Sequence, residues 1–298
     1  MSVAIAPGSP EHMRMITPSK VAAILGVSRF TSPFKMWHQM RGNIAPEPAS
    51  EIFALGHDFE SAMASIWRRQ NPGWRLSRDE VQIVCPTEQF GFPAAVTLDR
   101  RAVRGRARRI LELKTARDLS QWGDHFTDQA PADYVAQVMA QMLFTGYTKH
   151  PAHLMVLGPF FEAHTYVIEY DAGIADAIVS ECRLFWNSLQ ADEPPPLDDT
   201  VATYTAVKEL HPDIEPGAVV QLDYQTAFEV LSDDDSVKTY ERQLRGSKSA
   251  LLDLMGNAAT AMFGDVKIAD RRPHARGGVA LALATKNLNQ LIDQEKTA

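Results

Sequence analysis

Cysteine is scarce in this 298-residue chain: Cys85 and Cys182 stand far apart and form no Cys-x-x-Cys pair. That excludes a disulfide framework, a multi-cysteine zinc site and an iron–sulfur cluster held by four cysteines. The expected setting is reducing and cytoplasmic. No apolar run approaches the roughly 20 residues of a membrane span, so no membrane partner is expected. The first twenty residues lack a basic region followed by an apolar stretch, and no secretory signal is expected. The nine histidines form no His-x-x-x-His pair, and Gly-x-Ser-x-Gly, Walker A and Gly-x-Gly-x-x-Gly segments are missing. Basic residues do not dominate: 30 lysines and arginines against 37 acids leave a net charge of −7. This argues against a protein that coats nucleic acid throughout, but leaves room for a local basic groove. With 45% apolar and 22% charged residues the chain is no disordered polymer.

Punctuation and periodicity predict the elements. Thr17-Pro18 opens a short helix stopped by Gly26, and Ser32-Pro33 opens another ended by Gly42. From Glu51 to Arg69, Ile52, Leu55, Phe59, Met63 and Ile66 recur at helical spacing, with Glu60 at the edge of that stripe. Residues 80–116 change to strand period: Val81–Cys85, Pro93–Val103 and Arg109–Lys114 read as an antiparallel meander. A helix from Asp133 to Gly146 presents Tyr134, Gln137 and Gln141 on one face. A hairpin around Gly158-Pro159 and a helix from Ile174 to Leu189 follow. A proline-rich polar stretch, Ala191–Asp199, marks a boundary. The organisation expected is a domain over 1–195, a mostly helical accessory region over 196–272 and a tail over 273–298. Within 223–263 the acidic gap Ser232–Asp235 predicts two helices in a hairpin, and Val266–Ala269 a short strand.

The informative constellation is Asp99 followed by Glu112-Leu113-Lys114. Glu112 and Lys114 are two apart on a strand and share a face. A neighbouring strand can bring Asp99 beside them. Two converging carboxylates repel unless a cation sits between them, and oxygen donors of this kind suit Mg²⁺, with Mn²⁺ as a substitute. A lysine beside them would meet a phosphate oxygen or steady a metal-bound hydroxide, which together suits phosphodiester hydrolysis. The bland alternative is a solvated strand face of alternating charge. Glu60 offers a third carboxylate. Arg100, Arg101, Arg104, Arg106, Arg108, Arg109, Lys114 and Arg117 crowd eight bases into eighteen positions, either a track for a phosphate backbone or a solvated hairpin tip. Trp122, in the loop after the third strand, is a candidate to stack on a base or wedge the duplex.

In this order, Gly56-His-Asp-Phe-Glu60, Thr97-Leu-Asp99, Leu111-Glu-Leu-Lys114 and Ala136-Gln-Val-Met-Ala-Gln-Met142 resemble the phage-type exonucleases of the PD-(D/E)XK superfamily, the lambda-exonuclease and YqaJ viral-recombinase group. Ile16–Lys20, with Gly26-Val-Ser28 after it, is similar to that group's first helix. The likeness covers about residues 12–195. It implies an α/β (α+β) restriction-endonuclease-like core, a central mixed sheet flanked by helices, with a helical C-terminal appendage. It implies that Asp99, Glu112 and the Leu113 carbonyl hold the metal and that Glu60 supports a second ion or a metal-bound water. Lys114 would activate the attacking water and steady the transition state, Gln137 would position the scissile strand or the metal waters, and Thr17 and Ser19 with Arg14 would bind a DNA 5′-phosphate. Leu98 stands where the superfamily's name has proline. Gln141 stands where RecB-like relatives tend to carry tyrosine, which with the missing cysteines points away from their iron–sulfur branch.

The reading is therefore a Mg²⁺-dependent exonuclease acting 5′ to 3′ on duplex DNA with free ends. The resemblance further implies a single-strand annealing protein as partner and a homo-oligomeric ring. Two alternatives stay open: a site-specific or structure-specific endonuclease with the same metal core, and a non-catalytic DNA-binding or phage assembly protein.

Overall fold

The computed structural model describes residues 5–48, 51–273 and 277–297; of Ile52, Phe53 and residues 294–297 it describes the backbone alone. Contacts divide the chain into two units, 1–214 and 215–298. Among the described residues, no helix is long and apolar enough to cross a membrane.

The first unit opens with α1 (Pro10–Met13), α2 (Pro18–Ile24) and α3 (Pro33–Arg41). The Ser32 hydroxyl accepts from the Lys35 amide to start α3, and Gly42 at φ 78° closes it in the left-handed region that glycine tolerates. α4 (Glu51–Gln70) follows, then β1 (Arg75–Leu76), β2 (Val81–Cys85) and the single turn α5 (Thr87–Phe90). β3 (Ala94–Leu98), β4 (Arg100–Arg104) and β5 (Ala107–Thr115) lead to α6 (Ala132–Thr145), β6 (Ala152–Leu157), β7 (Ala163–Ile168), α7 (Ala172–Ala191) and α8 (Val201–Leu210).

The central sheet has the order β1-β4-β5-β6-β7. Its pairs are antiparallel except β5 with β6, where α6 makes the crossover. This is the mixed sheet flanked by helices. Because side chains alternate along β5, the two faces bury different sets. Leu111 and Leu113 pack with Met63, Trp67 and Trp74 on the α4 side, while Ile110 packs with Val138, Met139 and Met142 on the α6 side.

The expected three-strand meander is corrected here. The strand expected over 93–103 breaks at Asp99 into β3, which pairs with β2 in a separate ribbon, and β4, which pairs with β5. The break arises because the Asp99 side chain, not a strand carbonyl, accepts the Leu113 amide at 2.7 Å. The α4 stripe is also only half a core: Met63 and Trp67 are buried, while Leu55 and Phe59 are exposed. The described segment after Trp122 seals the outer edge of β7: Phe126 donates to Thr165, Val167 donates to Thr127, and the Thr165 amide donates to His125.

α8, assigned from sequence to the accessory region, packs with Phe34 and Ile44 in the first unit, and Thr203 bonds Ser32. The second unit contains α9 (Tyr224–Met255), β8 (Thr260–Phe263), β9 (Val266–Pro273), β10 (Val279–Leu283) and α10 (Leu288–Thr297). The three strands form one antiparallel sheet. The expected helical hairpin is overturned: the helix runs straight through Ser232–Asp235, since acids on a solvated face satisfy a helix as well as a turn does. The sheet likewise replaces helix over 260–263, and its third strand lies in the expected tail. Residues 274–276 and 298 of that tail lie outside the described residues.

Candidate active site

β5 carries the centre of the site. Glu112 is 1% exposed, yet every oxygen has a donor: Gln137 at 2.6 Å and Lys114 at 2.6 Å on Oε1, and Gln141 at 2.6 Å on Oε2. Both glutamines come from α6, where a spacing of four puts them on one face. Lys114 is folded back over Tyr134, its Nζ 5.4 Å from the ring centroid. Asp99 enters from the β3–β4 break. Its Oδ2 accepts from the Leu113 amide, and no hydrogen bond to its Oδ1 is formed by the described residues.

The electrostatics set this corner apart. Burial pushes the Asp99 carboxyl well above the usual carboxylate range, and the Glu112 carboxylate pushes it further. Lys114 and the Leu113 amide pull it back, while Glu60 adds to the rise. At Lys114 burial opposes the charge, but Glu112 and Asp99 outweigh it and hold the ammonium above its ordinary range. A buried acid raised by its neighbours in this way lacks positive charge. A hard divalent cation on Asp99 and Glu112 would supply it, so the donor set fits Mg²⁺ or Mn²⁺.

Glu60 lies on α4 at the rim. Its carboxylate takes His57 Nδ1 at 2.7 Å and Arg100 Nη1 at 3.4 Å. His57, Glu60 and Glu80 place one ligand atom each within 4.8 Å of one another, a second group that could hold a metal. Sequence reasoning missed His57, three residues before Glu60 on the same helix, and Glu80, which arrives from a loop with no motif. It also left out Gln141 as a site residue, although the shared face with Gln137 was the signal.

The remaining residues divide. Thr17, 6% exposed, stands at the N-cap of α2, its carbonyl accepting the Lys20 amide and its hydroxyl capping no helix amide; that hydroxyl is 3.1 Å from that of Ser19, and Ser19 and Arg14 are exposed. A parallel bridge from Ile16 to Ala94 runs this segment along β3 toward Asp99. Arg100 is turned inward to Glu60 and to the Asp99 carbonyl. Arg101 is half-buried, and its amide bonds Ser77. Arg109 also turns inward, toward His153 and the Trp74 ring. The eight clustered bases are therefore no single track, because strand alternation sends them to opposite faces. Trp122 is corrected outright: it is 9% exposed, stacked on Tyr134 at 5.4 Å and tilted on Tyr166 at 5.1 Å, so no face remains for a base.

Residues 10–148 match the YqaJ-like viral recombinase domain. The uncharacterized protein YqaJ of Bacillus subtilis (strain 168) is 26% identical over 216 residues, 71% of this chain and 65% of the relative. The match thus spans less than two thirds of that relative's length. An alkaline exonuclease of Laribacter hongkongensis, LHK-Exo, aligns over 60% of this chain and 90% of its own at 16% identity, with a TM-score of 0.46. LHK-Exo in complex with dAMP aligns over 61% and 91% at 17% identity and 0.47. Likenesses of that extent establish no shared function.

Proposed function

We propose, from the match of residues 10–148 to the YqaJ-like viral recombinase domain and from the site's geometry, that the protein is a metal-dependent deoxyribonuclease that shortens linear duplex DNA from its ends, 5′ to 3′. The observation that carries this reading is the buried pair Asp99 and Glu112 beside Lys114, with two α6 amides fixing Glu112.

Asp99, Glu112 and the Leu113 carbonyl would hold a Mg²⁺ or Mn²⁺ ion, with Glu60 in support. When bound, the ion supplies Lewis acidity toward a phosphoryl oxygen. Gln137 and Gln141 hold the Glu112 carboxylate in one orientation, in which it would serve as a ligand to the ion. The Lys114 ammonium, two residues along the same face, meets a non-bridging phosphate oxygen and stabilises the charge that grows there. Arg14, Thr17 and Ser19 would take the terminal 5′-phosphate. The first unit, 1–214, holds this machinery, and the second is accessory to it. A 3′ single strand left behind would pass to an annealing protein.

The test is degradation of linear, 5′-phosphorylated duplex beside closed circular DNA, with Mg²⁺, for wild type and Lys114→Ala. Shortening of the linear duplex alone, slowed at least about a hundredfold in Lys114→Ala, supports the reading. A cut circle would keep the metal centre and replace the end-dependent mechanism with an endonuclease. DNA binding without hydrolysis under Mg²⁺ or Mn²⁺ would remove catalysis altogether.

A further inference from the structure

Tyr134 shares a face of α6 with Gln137 and Gln141. That stripe meets β5 in order: Gln141 and Gln137 bond Glu112, and Tyr134 meets Lys114, two residues further along the strand. The Lys114 ammonium therefore has two neighbours of different kinds. Glu112 Oε1 is 2.6 Å from its Nζ, and the Tyr134 ring centroid is 5.4 Å away. An aromatic ring attracts an ammonium within about 6 Å, and unlike a carboxylate it offers no site for the proton.

The ring is itself held. Trp122 stacks on it at 5.4 Å, with the two planes 29° apart. The Arg29 guanidinium carbon lies 5.1 Å from its centroid. Arg29 is anchored in turn: its Nε and Nη2 donate to the two Asp133 oxygens at 2.9 and 3.0 Å, and its Nη1 donates to Gln121. Asp133, 5% exposed, also accepts the Tyr134 amide at 3.0 Å and so fixes the backbone from which the ring projects. Segments around 29, 121–122 and 133–134 thus converge on one side chain. Two cations, Arg29 and Lys114, share its ring, an arrangement that apolar packing alone does not call for.

A lysine gains from such a neighbour. Its four-carbon stem leaves the ammonium many positions, and attraction to Glu112 alone draws it onto the carboxylate. A tyrosine has only two side-chain torsions, so a clamped ring is a fixed surface against which the ammonium can rest. We propose that Tyr134 is a positioning residue for Lys114: its ring, immobilised by Trp122 and Arg29, keeps the ammonium in one place beside the carboxylates, ready for the phosphate oxygen that the nuclease reading assigns to it. The purpose of the contact rests on that reading; the contact itself does not.

The test is a double-mutant cycle on the full chain, with linear duplex DNA and Mg²⁺. Tyr134→Leu should lower kcat about three- to thirtyfold, the range of a cation–π contact, with KM unchanged. Tyr134→Phe keeps the ring and should recover most of that loss. In a Lys114→Ala background Tyr134→Leu should cost nothing further, because the group it positions is gone. A merely structural tyrosine would cost the same in both backgrounds. That result would overturn the proposal, as would a loss confined to KM or no recovery with phenylalanine. Should Tyr134→Leu unfold, Tyr134→Met fills the space with a flexible chain and enters the same cycle. A second readout needs no catalysis. In protein carrying ¹³C-labelled lysine, the Lys114 ε-methylene signal is identified by its loss in Lys114→Arg. It should move downfield in Tyr134→Leu, as the ring current is removed, and stay in place in Tyr134→Phe; a signal unmoved by leucine would overturn the proposal. A wild type that degrades no DNA would sink the nuclease reading instead, and the lysine signal would still decide whether the ring holds Lys114.

Discussion

The two faces of β5 handle buried polar groups in opposite ways. Toward α6 the strand presents Glu112 and Lys114, charged, close to Asp99 and dependent on glutamine donors. Toward α4 the polar group is His153 of the adjacent β6, buried and neutral. Its Nδ1 accepts from Trp67 Nε1 at 2.9 Å, and its Nε2 lies 2.7 Å from the Arg109 guanidinium. Burial, with Arg109 adding to it, lowers this imidazole to about 3. Both corners are buried and hydrogen-bonded. Only the α6 corner gathers carboxylates, and buried carboxylates stabilise no fold unless a cation balances them. On the nuclease reading the α6 face serves chemistry and the α4 face packing.

Substitutions should separate the faces. The largest effect is expected from Glu112→Gln, which removes the charge proposed to hold the metal while keeping the shape. Nuclease turnover should fall about a thousandfold or more, the equivalent of several kcal/mol of Lewis-acid stabilisation, with a melting temperature equal to or above wild type. A large loss of stability would mean that the carboxylate serves the fold. Gln141→Met should weaken Mn²⁺ affinity about 10- to 100-fold by titration calorimetry, the usual scale for a group that orients a ligand. Unchanged affinity would reduce Gln141 to filling. On the other face, Trp67→Phe strands the His153 acceptor. It should cost about 1–3 kcal/mol in urea unfolding and leave activity per folded molecule intact. The smallest effect is a pH slope. The folded chain holds His153 neutral while the unfolded chain protonates it below its ordinary 6.5. That stability is complete above pH 6.5 and drains away as pH falls toward 3. Urea midpoints should decline between pH 7 and 5, and His153→Gln should flatten the decline; an unflattened slope would put the titrating group elsewhere.

Much of this was legible in the residues. Alternation alone put Glu112 and Lys114 on one face, and the helical spacing of Gln137 and Gln141 put both on one side of α6. What period cannot convey is which partner a side chain finds. Asp99 reads as one position in an unbroken strand, because the aspartate that breaks the ladder bonds an amide fourteen residues away. Trp122 reads as a loop aromatic because Tyr134 and Tyr166, between which it packs, reach it through the crossover and the hairpin. The acids 233–235 read as a turn because composition cannot distinguish a solvated loop from a solvated helical face. Arg100 and Arg109 read as surface charges because their partners, Glu60 and His153, come from other elements.

The sealed rim of the central sheet bears on how copies of this chain can meet. An uncovered strand offers a ladder of amides and carbonyls to any passing chain and is the usual start of aggregation. Here β7 is already bonded along its outer side by residues 125–127, and β1, at the opposite rim, is two residues long. Neither border of the five-stranded sheet is a template for strand addition. The domain can therefore reach high local concentration, or accumulate during rapid synthesis, without joining through this sheet.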